Sequence, residues 1–130
     1  MACLLDTSIL IDAERDAQVL DRLDDEETQL ISVITASELL HGVHRANDST
    51  RRGRREAFVE QMLGAFDVIP ITLEVARIHA SIGARLASSG DVIGPHDLWI
   101  AATAISHGLR VATTNAREFE RVPGLDLLAL

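Results

Sequence analysis

Ala2-Cys3-Leu4-Leu5-Asp6-Thr7-Ser8 is the stretch that decides the fold. Four nonpolar residues in succession, with no polar alternation, suit a short strand buried in a sheet covered on both faces. The run stops at a carboxylate and two hydroxyls, as when a buried strand enters a helix capped by a hydroxyl. Ile9, Leu10 and Ile11, then Val19, Leu20 and Leu23, carry the apolar positions of one or two helices. The same alternation recurs along the chain. Leu30–Val33 reads as a second strand, and Thr35 or Ser32 as the cap of a helix over Ala36–Arg45. Asn47–Gly53 reads as a polar turn before a helix at Arg54–Leu63. Val68-Ile69 is a third strand closed by Pro70, and Thr72–Ser88 a long amphipathic helix. After a glycine-bounded loop from Gly90 to Gly94, Pro95 opens a helix over His96–His107 that stops at Gly108. Val111–Thr113 makes a fourth strand, Arg117–Phe119 a helical turn, and Leu125–Ala129 a fifth strand. Strands alternating with helices predict an α/β fold with a parallel sheet of four to five strands between two helical layers. Sites in such sheets form beyond the carboxyl ends of the strands.

A chain of 130 residues with 47% hydrophobic content suits one domain, residues 1–130, with a substantial core. No stretch approaches the roughly 20 unbroken apolar residues of a membrane helix. The N-terminus lacks a basic n-region, and Asp6 interrupts its apolar run, which disfavours a signal peptide. One cysteine, Cys3, excludes an internal disulfide and a cysteine-built zinc site. The expected location is the cytoplasm, with no membrane association.

The formal net charge of -8 argues at first sight against a nucleic-acid partner. Its distribution is uneven. Residues 1–27 hold nine acids and two arginines, whereas residues 45–55 hold five arginines and one acid, Asp48. All 12 basic residues are arginine, a usage that suits bidentate phosphate contacts and equally a codon bias. With no tyrosine and 3% aromatics, base stacking cannot be widespread. His41 and His44 read as an exposed helical face, Trp99 as core.

Three acids stand where a core is expected. Asp6 ends the first strand. Glu38 lies one turn into a helix beside Leu39 and Leu40. Asp97 occupies the first turn of a helix that is apolar nearly all round, from Leu98 to Ile105. Each has an ordinary reading: Asp6 as a helix cap, Asp97 as a partner of the helix dipole, Glu38 as the far half of a capping box with Thr35. Together they are harder to dismiss, since carboxylates converging in a partly dry pocket repel one another unless a cation offsets them. Oxygen ligands of this kind select Mg²⁺ or Mn²⁺ over zinc. Asn115 and Glu118, after the fourth strand, supply further polar groups at the same edge: Asn115 for metal or water, Glu118 as a remaining carboxylate.

Four segments in order, Leu4-Leu5-Asp6-Thr7-Ser8, Ala36-Ser37-Glu38-Leu39-Leu40-His41-Gly42, Gly94-Pro95-His96-Asp97-Leu98-Trp99-Ile100-Ala101-Ala102 and Thr114-Asn115-Ala116-Arg117-Glu118-Phe119, resemble those of the PIN-domain nucleases, specifically the VapC-type toxins. The resemblance spans nearly the whole chain. It implies a three-layer α/β/α PIN-like domain and an Mg²⁺- or Mn²⁺-dependent endoribonuclease. Such a toxin cleaves tRNA, rRNA or mRNA and arrests translation and growth. The resemblance further implies a homodimer, and a cognate antitoxin whose C-terminal segment occupies the acidic groove. The family's first three acids fall on Asp6, Glu38 and Asp97. Many relatives carry an aspartate where this chain has Asn115, while Glu118 matches the acid others carry just before the phenylalanine. One metal site is thus better supported than two.

On this reading Asp6 and Asp97 hold the cation, Glu38 completes the coordination through water or acts as a base, and Thr7, Ser8 or Thr113 orient the carboxylates. Receiver-like and haloacid-dehalogenase-like readings also place acids at strand ends but normally use a lysine, and this chain has none. Neither glycine-rich phosphate loop appears. The alternative that survives is a catalytically degenerate PIN-like domain acting as a dimeric binding module.

Overall fold

The computed structural model describes residues 2–130. Five strands form one wholly parallel sheet: β1 (Ala2–Leu5), β2 (Thr28–Ser32), β3 (Asp67–Ile69), β4 (Arg110–Thr113) and β5 (Leu127–Ala129). Their spatial order is β3-β2-β1-β4-β5. The chain therefore builds outward from β1 in one direction, returns, and builds outward in the other. That reversal leaves a crevice between the carboxyl ends of β1 and β4, where open α/β sheets carry their sites.

Strand β1 is central because its side chains are apolar on both faces. Leu4 and Val111 point into one core with Ile82, Ile100 and Phe119; Cys3, Leu5 and Ala112 point into the other with Leu10, Leu39 and Val59. Leu4 and Leu5 are 0% exposed, each worth about 2 kcal/mol in burial. Helices α1 (Thr7–Arg15), α2 (Val33–His44) and α3 (Ser49–Ala65) supply the second core; α4 (Leu73–Ser89), α5 (Pro95–Ser106) and α6 (Ala116–Phe119) supply the first. A 3₁₀ segment, Ala17–Arg22, follows α1. No helix among the described residues is long and apolar enough to cross a membrane.

Most boundaries shift by one or two residues from the sequence-based expectation, and two helix starts shift by three or more, each for a capping reason. Helix α2 begins at Val33 rather than Ala36, because the Ser32 hydroxyl accepts the Ile34 amide at 2.9 Å. Val33, expected in the strand, thus joins the first helical turn and is 38% exposed. Helix α3 begins at Ser49, not Arg54, since Asp48 accepts the Arg51 amide at 2.8 Å. The expected turn at Asn47–Gly53 contracts to residues 45–48, and Gly53 is helical. Gly108 has φ +65° just past α5, a left-handed conformation that glycine adopts without strain.

At the amino-terminal edge of the sheet, Arg110 donates to both oxygens of Glu27, at 3.0 and 2.6 Å. Glu27 precedes β2 and Arg110 opens β4, so the pair closes over the start of β1 between them. The Glu27 side chain is 4% exposed.

Candidate active site

Asp6 follows β1 directly, and its amide donates to the Ala112 carbonyl at 2.8 Å, continuing the β1–β4 ladder by one residue. Its extended backbone (φ -68°, ψ 152°) occupies the N-cap of α1, yet the side chain makes no capping bond. Instead Oδ2 accepts from Ser8 Oγ at 2.7 Å and from Thr113 Oγ1 at 2.8 Å. The helix-cap reading of Asp6 is therefore wrong: its carboxylate is turned toward β4. Thr113 in turn accepts the Asn115 amide at 2.8 Å, and Ser8 accepts the Thr114 amide at 3.2 Å. Asp6 is 4% exposed. Burial raises its pKa; the bonds from Ser8, Thr113 and the Thr7 backbone pull it back, and nearby Glu38 adds to the rise.

Glu38 reaches the same edge from α2. Its Oε1 accepts from Thr7 Oγ1 at 2.8 Å, and its Oε2 lies 3.3 Å from His96 Nδ1. Because the single Thr7 proton goes to Glu38, the 3.0 Å contact between the Thr7 and Thr35 hydroxyls has Thr35 as donor. Thr35 is 0% exposed and serves this chain of hydroxyls, so the capping box between Thr35 and Glu38 does not form. Sequence reasoning missed Thr35 and His96. The first was hidden by its resemblance to a cap. His96 sits beside Asp97 at the helix start with its side chain 59% exposed, and no local sequence signal pairs it with Glu38.

Asp97 lies in the first turn of α5, half-buried, with its carboxyl pushed up to about 6. Burial is the main cause, followed by the charges of Asp6, Glu118 and Glu38, with His96 opposing. Glu118 is anchored beside it: its Oε1 accepts the Gly94 amide at 2.7 Å. A Cβ on Gly94 would stand 3.5 Å from that oxygen and 3.6 Å from Asp97 Oδ2, so the loop backbone carries both carboxylates within one small space. Asn115 behaves differently. It is exposed at the N-cap of α6, its side chain makes no capping bond, and only its backbone joins the site through Thr113.

The structure thus brings Asp6, Glu38, Asp97 and Glu118 together at the β1/β4 crevice and leaves the Asn115 side chain at the rim. Among the described residues, no three His, Cys, Asp or Glu form a ready-made metal cage. The donor chemistry nevertheless fits a hard cation. Burial is the largest cause of the raised Asp97 pKa, and the charged groups that shift it are, apart from His96, carboxylates whose repulsion adds to the rise. Cys3, the one thiol, is buried in the core at the start of β1, remote from this edge.

The PIN domain model matches residues 3–125. The ribonuclease VapC of Rickettsia bellii is 35% identical over 130 residues, covering 100% of this chain and 97% of that protein. The tRNA(fMet)-specific endonuclease VapC of Shigella flexneri is 37% identical over 125 residues, covering 94% of this chain and 92% of that protein. Among solved structures, DNA-bound VapBC from Salmonella typhimurium superposes with a TM-score of 0.89 at 33% identity, covering 99% of this chain and 98% of that one.

Proposed function

Because the chain belongs to the PIN domain family, we propose that it is the ribonuclease toxin of a toxin–antitoxin pair, cutting RNA in the cytoplasm with Mg²⁺ or Mn²⁺ held by Asp6 and Asp97. Its enzymatic class, a nuclease, follows from that membership and from relatives named ribonuclease or endonuclease. The observation that carries the metal is the convergence of Asp6, Glu38, Asp97 and Glu118 at one crevice, with Gly94 lying against both Glu118 Oε1 and Asp97 Oδ2, where burial and the neighbouring acids raise the Asp97 carboxyl. Among RNA substrates, tRNA is favoured over rRNA or mRNA by the relative that acts on tRNA(fMet). The VapBC complex supports a protein antitoxin bound over the acidic groove, and a homodimer is the expected form of the toxin.

When bound, the cation would polarise the phosphoryl group and acidify a water molecule. The residues supply the rest. Ser8 and Thr113 aim Asp6 at the crevice and pull its pKa down against the larger rise that burial causes. Thr7, supported by Thr35, holds Glu38 Oε1, while Oε2, 3.3 Å from His96 Nδ1, faces the crevice to take the proton of the attacking water. The water oxygen then bonds to phosphorus, and the bond from phosphorus to the leaving ribose oxygen breaks, that oxygen keeping the electron pair and taking a proton from solvent. Glu118, tied to Gly94, keeps a second carboxylate next to Asp97 and would add its negative charge to the groups that hold a cation.

The test is cleavage of total bacterial RNA with Mn²⁺, with and without chelator, using the native chain and Asp6→Ala. We expect cleavage that chelator and the substitution both abolish, with the cut ends mapping to tRNA. A native chain that binds RNA or a partner yet leaves RNA intact would make it a binding module instead.

A further inference from the structure

Helices α1 and α2 both start at the acidic crevice; α1 ends on Arg15 and α2 is followed by Arg45 at its C-cap. Along α1, Thr7 and Ile11 lead to Arg15; along α2, Glu38 and Gly42 lead to Arg45. Seven residues separate Glu38 from Arg45, two helical turns, which places Arg45 on the same face about 10 Å along the axis. A cleft of about 260 Å³ runs between the helices, and its walls include Arg15, Glu38, Arg45 and Arg55. Arg55 forms the wall common to a second cleft of about 290 Å³, which adds Arg51 and Arg54 from α3. The two clefts present five arginines against two acids, Glu14 and Glu38, on a chain whose net charge is -8.

Some of these arginines have structural employment. Arg55 is held by Glu14 at 3.3 Å and by the Gly42 carbonyl at 3.1 Å, and Arg51 lies 3.5 Å from its cap residue Asp48. Among the described residues, no carboxylate pairs with Arg15, Arg45 or Arg54. Favourable interaction with a helix dipole accounts for Arg15 and Arg45, which lie at the ends of their helices, but not for α3. That helix carries Arg51 and Arg52 in its first turn, where a cation is disfavoured, and Arg54 and Arg55 in its second. Arg52 donates to the Ala46 carbonyl at 2.9 Å, which leaves Arg54 as the one of the four with no partner among the described residues. A polyanion lying across the start of α3 gives it and the local excess of positive charge a use.

We propose that these two clefts are the track for the RNA backbone leading to the catalytic crevice, with Arg15, Arg45 and Arg54 as its phosphate contacts. The assignment rests on the ribonuclease reading for its ligand and adds where the substrate lies. Gly42 gives the Arg55 side chain room to lie against α2, its Cδ 3.7 Å from where a Cβ would stand, so Arg55 lines the cleft between Glu38 and Arg45.

The triple variant R15Q/R45Q/R54Q tests this, with R77Q/R85Q on the exposed face of α4 as a control for charge alone. Binding of total bacterial tRNA is measured in chelator across a salt series, and cleavage in Mn²⁺. The triple variant should bind about tenfold more weakly at low salt, and its slope of log affinity against log salt should fall by about 2, at ~0.7 per single-strand phosphate contact. Cleavage should show a raised KM with kcat within about twofold. Lysines at the three positions should restore the slope, and the control should leave it unchanged. An unaltered slope in the triple variant overturns the track. So does a variant that binds RNA normally but loses a protein partner, which would give the clefts to that partner. If the native chain binds tRNA through these arginines but never cuts it, the track stands and the nuclease reading falls.

Discussion

Replacing Asp97 with asparagine should make the metal-free protein more stable while removing its activity. The Asp97 carboxyl is raised from 3.8 to about 6. Fully realised, that rise corresponds to ~3 kcal/mol of destabilisation in the ionised state. Asp97 is only half-buried, and solvent screening reduces the figure to about 1–2 kcal/mol. A carboxyl whose folded pKa exceeds its unfolded value costs nothing below the unfolded pKa. Its penalty develops as the pH rises through the interval from 3.8 to about 6, and is complete above it. In chelator at pH 7.5, Asp97→Asn should therefore melt about 3–8 °C higher than the native chain, and at pH 3.5 the two should coincide. Mn²⁺ should reverse the order, since a ligand at a hundred times its Kd adds ~2.7 kcal/mol to the form that binds it. Thermal unfolding monitored by circular dichroism over a pH series, with and without Mn²⁺, measures all of this. If Asp97→Asn is no more stable than the native chain in chelator at pH 7.5, the carboxylates do not repel as described and the electrostatic case for a cation collapses.

Three other outcomes follow from the same coordinates. Removing the Glu27 partner with Arg110→Ala leaves a 4% exposed carboxylate unpaired and should cost about 3–5 kcal/mol in denaturant unfolding; a loss below 1 kcal/mol would show the pair to be solvated. The Cys3 thiol is pushed up to about 11 by burial and by Glu27, so it should resist aromatic disulfide reagents at pH 8 until the chain unfolds. Rapid labelling of folded protein would contradict that. Thr7→Val removes the donor to Glu38 Oε1 and should lower kcat with little change in KM, Thr7→Ser restoring the rate, as steady-state cleavage assays can resolve.

The strands, the helices and all four carboxylates were legible as candidates because each rests on local pattern. Leu4 and Leu5 announce a doubly buried strand by being adjacent, and α5 announces burial through Ile100–Ala104. Strand order was not legible, since nothing in the residues of β4 records that it returns to the far side of β1. Ser32 and Thr35 illustrate a subtler limit. Both are hydroxyls near the start of one helix, and only the tertiary position of Thr7 decides which caps and which serves the site. The same holds for Asn115 and Glu118: four residues carry a helical turn after β4, and its orientation puts the glutamate beside Gly94 and the amide at the rim.

The four carboxylates are anchored unequally, and the inequality has a consequence. Asp6 is fixed by two hydroxyls and Glu38 by Thr7 and His96, while among the described residues no side-chain donor reaches Asp97. Asp97 is therefore where the repulsion of the group is concentrated, and α5 is the element that bears it. That helix can do so because Ile100, Ala101, Ala102, Thr103 and Ala104 are all 0% exposed, and Ile100 alone contributes about 2–3 kcal/mol of burial. One buried isoleucine outweighs the ~1–2 kcal/mol that Asp97 costs at neutral pH. The order of magnitude decides the matter: the fold is stable enough to hold an ionised carboxylate in an acidic crevice, and the strain it retains there favours whatever cation enters.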